Sequence, residues 1–225
     1  MNPVILDKIP FEIDLDKYLK LIRVSNKPDY AEKATKLVAE AQSIARPKAM
    51  YREAFIEAKG DNFVIVNGTT FTSRVLRVNL NDVYRVFPYV ATSGVEIEEW
   101  SEGIEDMLER FWADTIKEMA LRVAMQELFQ HFKENCYLGN TSTMNPGSLQ
   151  DWPIQEQSKL FKVLGNSELV GIRLSETFLM YPIKSVSGII FPTEVNFVNC
   201  QLCSRENCPG RKAPYDKHLY KEKFA

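Results

Sequence analysis

Apolar positions recur three and four apart through residues 14–24, where Leu15, Tyr18, Leu19 and Ile22 share one helical face and Asp14 stands where an N-cap is needed. A second stripe, Ala31, Ala34, Leu37, Val38 and Ala41, predicts a helix over residues 29–45 that Pro47 stops. The short link from Asn26 to Pro28 makes the two helices antiparallel neighbours. The period then changes. Residues 50–57 and 63–71 are rich in β-branched and aromatic side chains and are punctuated by Gly60-Asp61 and Asn67-Gly68, which predicts strands with turns; residues 86–92 predict another strand, ended by Ser93-Gly94.

The longest helical pattern covers residues 102–135, with Met107, Leu108, Phe111, Ile116, Met119, Ala120, Val123, Leu128 and Phe132 drifting around one face, and it leaves room for one break. Residues 140–151 are Asn, Thr, Ser, Pro and Gly in such proportion that a loop is expected. Asp151 and Pro153 then suit the opening of a helix that ends near Gly165 and buries Leu160, Phe161 and Leu164. Two apolar segments, 171–181 and 185–191, precede a polar tail that starts at Pro192. Strands and helices do not alternate as βαβ units, no Gly-rich phosphate loop follows a strand, and no internal repeat is evident. The fold class expected is α+β with a largely antiparallel sheet.

A chain of 225 residues with 45% apolar and 26% charged residues has the make-up of a globular protein, and one domain is the simplest reading. With 28 basic against 30 acidic residues, the net charge of -2 gives no broad attraction for nucleic acid or an anionic membrane. No apolar run reaches the ~20 residues that span a bilayer, and the first residues lack the basic start and apolar centre of a signal peptide, so a cytoplasmic protein is expected.

The segment Gly171-Ile-Arg-Leu-Ser-Glu-Thr-Phe-Leu-Met-Tyr-Pro-Ile-Lys-Ser-Val-Ser-Gly-Ile-Ile-Phe191, preceded by Asn145-Pro-Gly-Ser-Leu-Gln-Asp-Trp-Pro153, resembles the end of the activation domain of cobalamin-dependent methionine synthase. In that family a Pro-Gly loop leads into a helix, and a Leu-Thr-Glu-Ser-Phe-x-Met-x-Pro stretch runs into Ser-Val-Ser-Gly. The Asp-Trp-Pro and the trailing cysteines are similar to the stand-alone anaerobic relatives in particular. The resemblance divides the chain into an activation-domain-like α+β domain, residues 1–195, and a cysteine-containing polar tail, residues 196–225.

The resemblance implies a groove for S-adenosylmethionine and a role in reactivating a cobalamin-dependent methyltransferase. In that reaction cob(II)alamin receives an electron from a flavodoxin- or ferredoxin-type donor and a methyl group from S-adenosylmethionine. The cobalamin would be carried by a partner, a methyltransferase lacking its own activation module. The implied groove is made by the loop at Thr143, Asn145, Gly147 and Ser148, the strand at Ser185, Ser187 and Gly188, and a helical glutamate, Glu118, set against the cationic end of the ligand. Thr143 and Ser148 fall where the family has an arginine and a tyrosine. Threonine supplies neither the charge nor the fork of a guanidinium, so another cation is needed, with Arg173 and Lys184 as candidates, or binding is weakened or lost. The bland reading of Glu118 is a solvated helix-face side chain, and that of Arg173 with Glu176 a surface ion pair.

Three of the four cysteines, Cys200, Cys203 and Cys208, crowd into the tail. Thiolates so spaced suit zinc or an iron-sulfur cluster, with Cys136, His131 or His218 as fourth ligand, in a tail that offers no evident apolar core. Redox-active thiols and inert cysteines are the alternatives. Three functions are open: an accessory that delivers S-adenosylmethionine, an adaptor for a corrinoid protein that has lost that ligand, or a metal or redox protein whose tail is the active part.

Overall fold

The computed structural model describes residues 2–137, 139–194, 197–205, 207–208 and 211–224. Its axis is β6 (Arg85–Thr92), buried at all but its first residue. On one edge β6 pairs antiparallel with β2 (Lys48–Tyr51) and then β3 (Ala54–Lys59); on the other it pairs with β10 (Ser185–Pro192), and every one of these pairings is antiparallel. Pro88, which has no N–H to give a ladder, lies opposite Arg52 in the gap where β2 has ended and β3 has not begun, and its carbonyl accepts from Arg52 N. The single strand expected over 50–57 is split by that gap. β1 (Val4–Leu6) extends β2, while β4 (Phe63–Val66) and β5 (Thr69–Thr72) form the hairpin that Asn67-Gly68 announced.

Residues 140–151 are a loop from Asn145 onward, but their first part corrects that expectation. They contain β7 (Thr141–Met144), whose small polar residues become a strand because β10 supplies a ladder partner, with Ile190 opposite Thr143. A small pair, β8 (Arg173–Leu174) and β9 (Met180–Tyr181), lies apart from the main sheet.

The expected α1 (Leu15–Leu21) is capped by Asp14, which accepts from Lys17 N, and α2 (Pro28–Ile44) comes next. The long helix begins later than its pattern suggests, because Asp106 caps α5 (Met107–Asn135) by accepting from Leu108 N and Glu109 N. Residues before that break form a separate α4 (Val95–Glu102). The N-terminal half of α5 packs with α1, α2 and α4 around Trp112 and Tyr18. Its C-terminal half lies on the sheet face that presents Phe87, Tyr89 and Ala91, while Val90 points to the opposite face with Leu164 of α6 (Glu156–Leu164).

Asp151 does not open α6, which starts at Glu156. It caps α3 (Arg74–Asn79) instead, accepting from Arg74 N at 3.2 Å, Val75 N at 2.9 Å and the Ser73 hydroxyl. Pro153 lies in the turn between. The tail also departs from expectation, for Phe197 and Phe224 are buried in the largest core cluster, and Leu202, Cys203 and Leu219 pack against it. Two aromatic anchors, the second just past α7 (Leu219–Lys223), dock a segment whose average composition is polar. The expected boundary between domain and tail falls at Val195 and Asn196, outside the described residues. Among the described residues no helix is long and apolar enough to cross a membrane.

Candidate functional site

β10 is flanked by β6 and β7, and at Gly188 the chain comes very close to the end of β7 and the loop beyond it. A Cβ there would lie 2.5 Å from Asn145 Nδ2, 2.6 Å from the Met144 carbonyl and 2.9 Å from Tyr89 Cε1. Glycine is thus what lets Asn145 lie on the strand. Asn145 Nδ2 donates to the Ser187 carbonyl at 2.7 Å and to Tyr89 Oη at 2.9 Å. Burial pushes the Tyr89 phenol up to about 12, against a smaller opposite effect of the Asn145 contact, so it is neutral at physiological pH. Gly147, at φ +81°, turns the loop, and its N–H donates to the carbonyl of the fully buried Trp152.

This loop opens onto a cavity of ≈ 790 Å³, within the range of small-molecule sites. Thr141, Ser142 and Thr143 of β7 and the loop residues Asn145, Gly147 and Ser148 form one side; Phe129, Phe132 and Lys133 of α5 form another. The tail closes it with Phe197, Asn199, Cys200, Cys203, Arg205, Cys208 and Lys212. The tail starts as an addition to the sheet, with Val198 bridged in parallel to Thr143 and Phe197 N donating to Ser142 Oγ at 3.1 Å. Asn199 Nδ2 reaches Asn145 Oδ1 only at 3.5 Å, and its own Oδ1 is buried without a partner among the described residues. Arg211 then ties the tail together. Its guanidinium donates to the carbonyls of Cys200, Cys203 and Ala213 at 3.0, 3.2 and 3.3 Å, and to that of Arg205. A second cavity of ≈ 610 Å³ shares Gly147, Ser148, Cys203 and Arg205 with the first.

Of the residues expected in the groove, Thr143, Asn145, Gly147 and Ser148 line the cavity. Ser187 and Gly188 lie behind Asn145 and position it. Ser185 does not reach the cavity lining, for its hydroxyl lies 2.9 Å from Thr92 Oγ1 and 2.7 Å from the Pro182 carbonyl. Glu118 is also elsewhere: it pairs with Arg122 at 3.2 Å, about 16 Å along the α5 axis from Phe129 at 1.5 Å per residue. Lys184 is held by Asp114 at 2.9 Å, and Arg173 pairs with Glu168 rather than Glu176.

The three tail cysteines share the cavity wall, yet among the described residues no group of three His, Cys, Asp or Glu side chains is gathered as a metal site requires. Cys136 and His131 are instead both within 3.1 Å of Tyr51 Oη, and His218 precedes α7. As placed, this donor set does not fit zinc or an iron-sulfur cluster, and Arg211 provides the cross-link that a metal was expected to provide. Sequence reasoning missed Phe129, Lys133, Asn199, Arg205 and Lys212. The aromatic was legible only as core, and the polar residues carried no spacing that set them apart.

Residues 146–209 match the family model of the vitamin B12 dependent methionine synthase activation domain. Over that segment the chain is similar to the methionine synthase activation domains. The fold is shared with a crystal structure of the MetH reactivation domain bound to AdoHcy, at a TM-score of 0.61 and 12% identity, over 88% of this chain and 81% of that one. No curated protein matches the chain in sequence. The matched segment includes Gly147 and Ser148 of the loop and the cavity-lining tail residues from Phe197 to Cys208, while Thr143, Asn145 and Lys212 lie outside it.

Proposed function

We propose that this protein binds S-adenosylmethionine, and its product S-adenosylhomocysteine, in the ≈ 790 Å³ cavity and presents it for reactivation of a cobalamin-dependent methyltransferase. The observation that carries the reading is that the Asn145, Gly147 and Ser148 loop, within or next to the family-matched segment, opens onto a cavity of suitable size. Cobalamin carried by a partner module would accept the methyl group, with an electron from a flavodoxin- or ferredoxin-type donor.

The chain's own part is to bind and orient. Phe129, Phe132, Tyr137 and Phe197 give apolar and aromatic surface for a purine. Backbone at Gly147 is exposed on the cavity wall, with Ile154 packed where a Cβ would stand, and Asn145 is fixed by its two hydrogen bonds so that it loses little freedom when a ligand arrives. Thr143 offers a hydroxyl but no charge. Holding the donor in one orientation is the contribution such a site makes to transfer.

Isothermal calorimetry with S-adenosylhomocysteine, followed by Asn145→Ala, tests the reading. Saturable one-to-one binding that the substitution weakens by about tenfold or more is expected, the loss of roughly one to two hydrogen bonds. Absence of heat and of thermal stabilisation at millimolar ligand would overturn it.

A further inference from the structure

The cavity wall carries three cations and, among the described residues, no acid: Lys133 comes from α5, and Arg205 and Lys212 from the tail. None of the three makes an ion pair among the described residues. An adenosyl amino acid has one anionic group, its α-carboxylate, and enclosing that group calls for a charge-assisted partner. The loop cannot provide one, since Thr143, Asn145, Gly147 and Ser148 are uncharged, and Lys184 and Arg173 are engaged outside the cavity.

We infer that the tail, rather than the loop, recognises the amino-acid end of the ligand, with Arg205 gripping the carboxylate and Lys133 and Lys212 adding charge. The inference rests on the adenosyl-ligand reading above. Arg205 has three features that single it out. Its planar fork matches a carboxylate. It lines both cavities where they share Gly147 and Ser148, so it stands beside the loop. Its backbone is held, because its carbonyl accepts from Arg211, which makes Arg211 a positioning residue. Asn199, on the same wall, has an Oδ1 with no partner among the described residues, the acceptor that an α-ammonium group needs.

The test compares two probes by calorimetry, S-adenosylhomocysteine and 5′-methylthioadenosine, which keeps the nucleoside and thioether but lacks the amino-acid group. Arg205→Gln should weaken S-adenosylhomocysteine by roughly ten- to a hundredfold and change methylthioadenosine by less than about twofold. Arg205→Lys should recover part of the loss, and the melting temperature should not move in either variant. Lys133→Gln and Lys212→Gln should give smaller losses confined to the same ligand. An Arg205→Gln variant that loses both ligands equally, or neither, overturns the inference and leaves the adenosyl site standing. A parent protein that binds neither probe overturns the adenosyl reading, and the inference falls with it.

Discussion

One wall of the cavity is sheet and the other is tail, and different interactions hold them. The sheet wall is β7 laid on β10, with its loop fixed by a glycine at a contact too close for a Cβ and by an asparagine that donates twice. The tail wall has one bridge to the sheet at Val198, two buried aromatic anchors, and a guanidinium that holds four carbonyls. In the sheet wall the polar groups that line the cavity are neutral; in the tail wall they include the charged Arg205 and Lys212. The difference teaches that shape comes from one side and charge from the other, and that the two can be perturbed separately.

The largest effect should come from the sheet wall. Gly188→Ala puts a methyl 2.6 Å from a backbone carbonyl as well as against the Asn145 amide, and a backbone atom cannot swing aside. The cost should be about 3 kcal/mol, the upper part of the range for overpacking, or a melting temperature lower by roughly 6–12 °C. Adenosyl ligands should bind undetectably to what remains folded. Thermal unfolding of Gly188→Ala within 1–2 °C of the parent would mean that β7 and β10 separate more easily than the register implies.

The tail wall should fail on its own and at lower cost. Arg211→Met removes the donors to four carbonyls, and the expected loss is about 2 kcal/mol, because charged donors are replaced partly by water. Limited proteolysis should then cut within residues 199–213, and S-adenosylhomocysteine affinity should fall, while amide exchange at β6, β7 and β10 stays as slow as in the parent. A tail that remains fully protected in Arg211→Met would show that Phe197 and Phe224 alone suffice to dock it.

The same contrast explains what could be read from the sequence. β6 and β10 were legible because buried strands are apolar and β-branched, and Ser187-Gly188 was legible as a close approach because it stands in such a strand. β7 was not, since Thr141-Ser142-Thr143-Met144 owes its extended form to the ladder partner, a tertiary effect that local composition does not carry. Asp151 was recognised as a cap, but for the helix next to it in sequence rather than for α3, which is next to it in space. The tail was the least legible part. Its cysteine spacing drew attention to metal, whereas the side chain that organises it, Arg211, is one arginine among many in the sequence and becomes distinctive only when four carbonyls converge on it. Glu118 stands away from the cavity for a geometric reason: a 29-residue helix serves the helical cluster at one end and the cavity at the other.

A smaller effect separates the walls by pH. Burial raises the Tyr89 phenol to about 12, above the value near 10 of an exposed tyrosine. A folded pKa above the unfolded one means that stability is fully present below about pH 10 and is lost as pH rises toward 12, since only the unfolded chain ionises there. Each pH unit in that window should remove up to about 1.4 kcal/mol on account of Tyr89. Tyr18 and Tyr51, raised chiefly by burial, steepen the decline. Tyr89→Phe should flatten the alkaline slope by its share, whereas Arg205→Gln should leave it unchanged. Equal slopes in parent and Tyr89→Phe between pH 10 and 12 would remove the assignment.

The smallest effect concerns which adenosyl ligand the charged wall prefers. S-adenosylmethionine carries one more positive charge than S-adenosylhomocysteine, and the described wall presents three cations and no carboxylate. At a separation of about 8 Å in a water-like dielectric each cation opposes the sulfonium by about 0.5 kcal/mol. Three together come to about 1.5 kcal/mol before screening, which salt reduces to about 1.2 kcal/mol at 0.01 M and about 0.5 kcal/mol at 0.15 M. S-adenosylhomocysteine should therefore bind tighter, by roughly sevenfold at low salt and roughly twofold at physiological salt. Removing one cation with Lys212→Gln should narrow the low-salt gap by about a third, because the two ligands share the carboxylate and differ only in the charge on sulfur. Parallel titrations of both ligands at the two salt concentrations decide it. A preference for S-adenosylmethionine at low salt would mean that an acid stands nearer the sulfonium than any of these cations, and the division of shape and charge between the two walls would have to be redrawn.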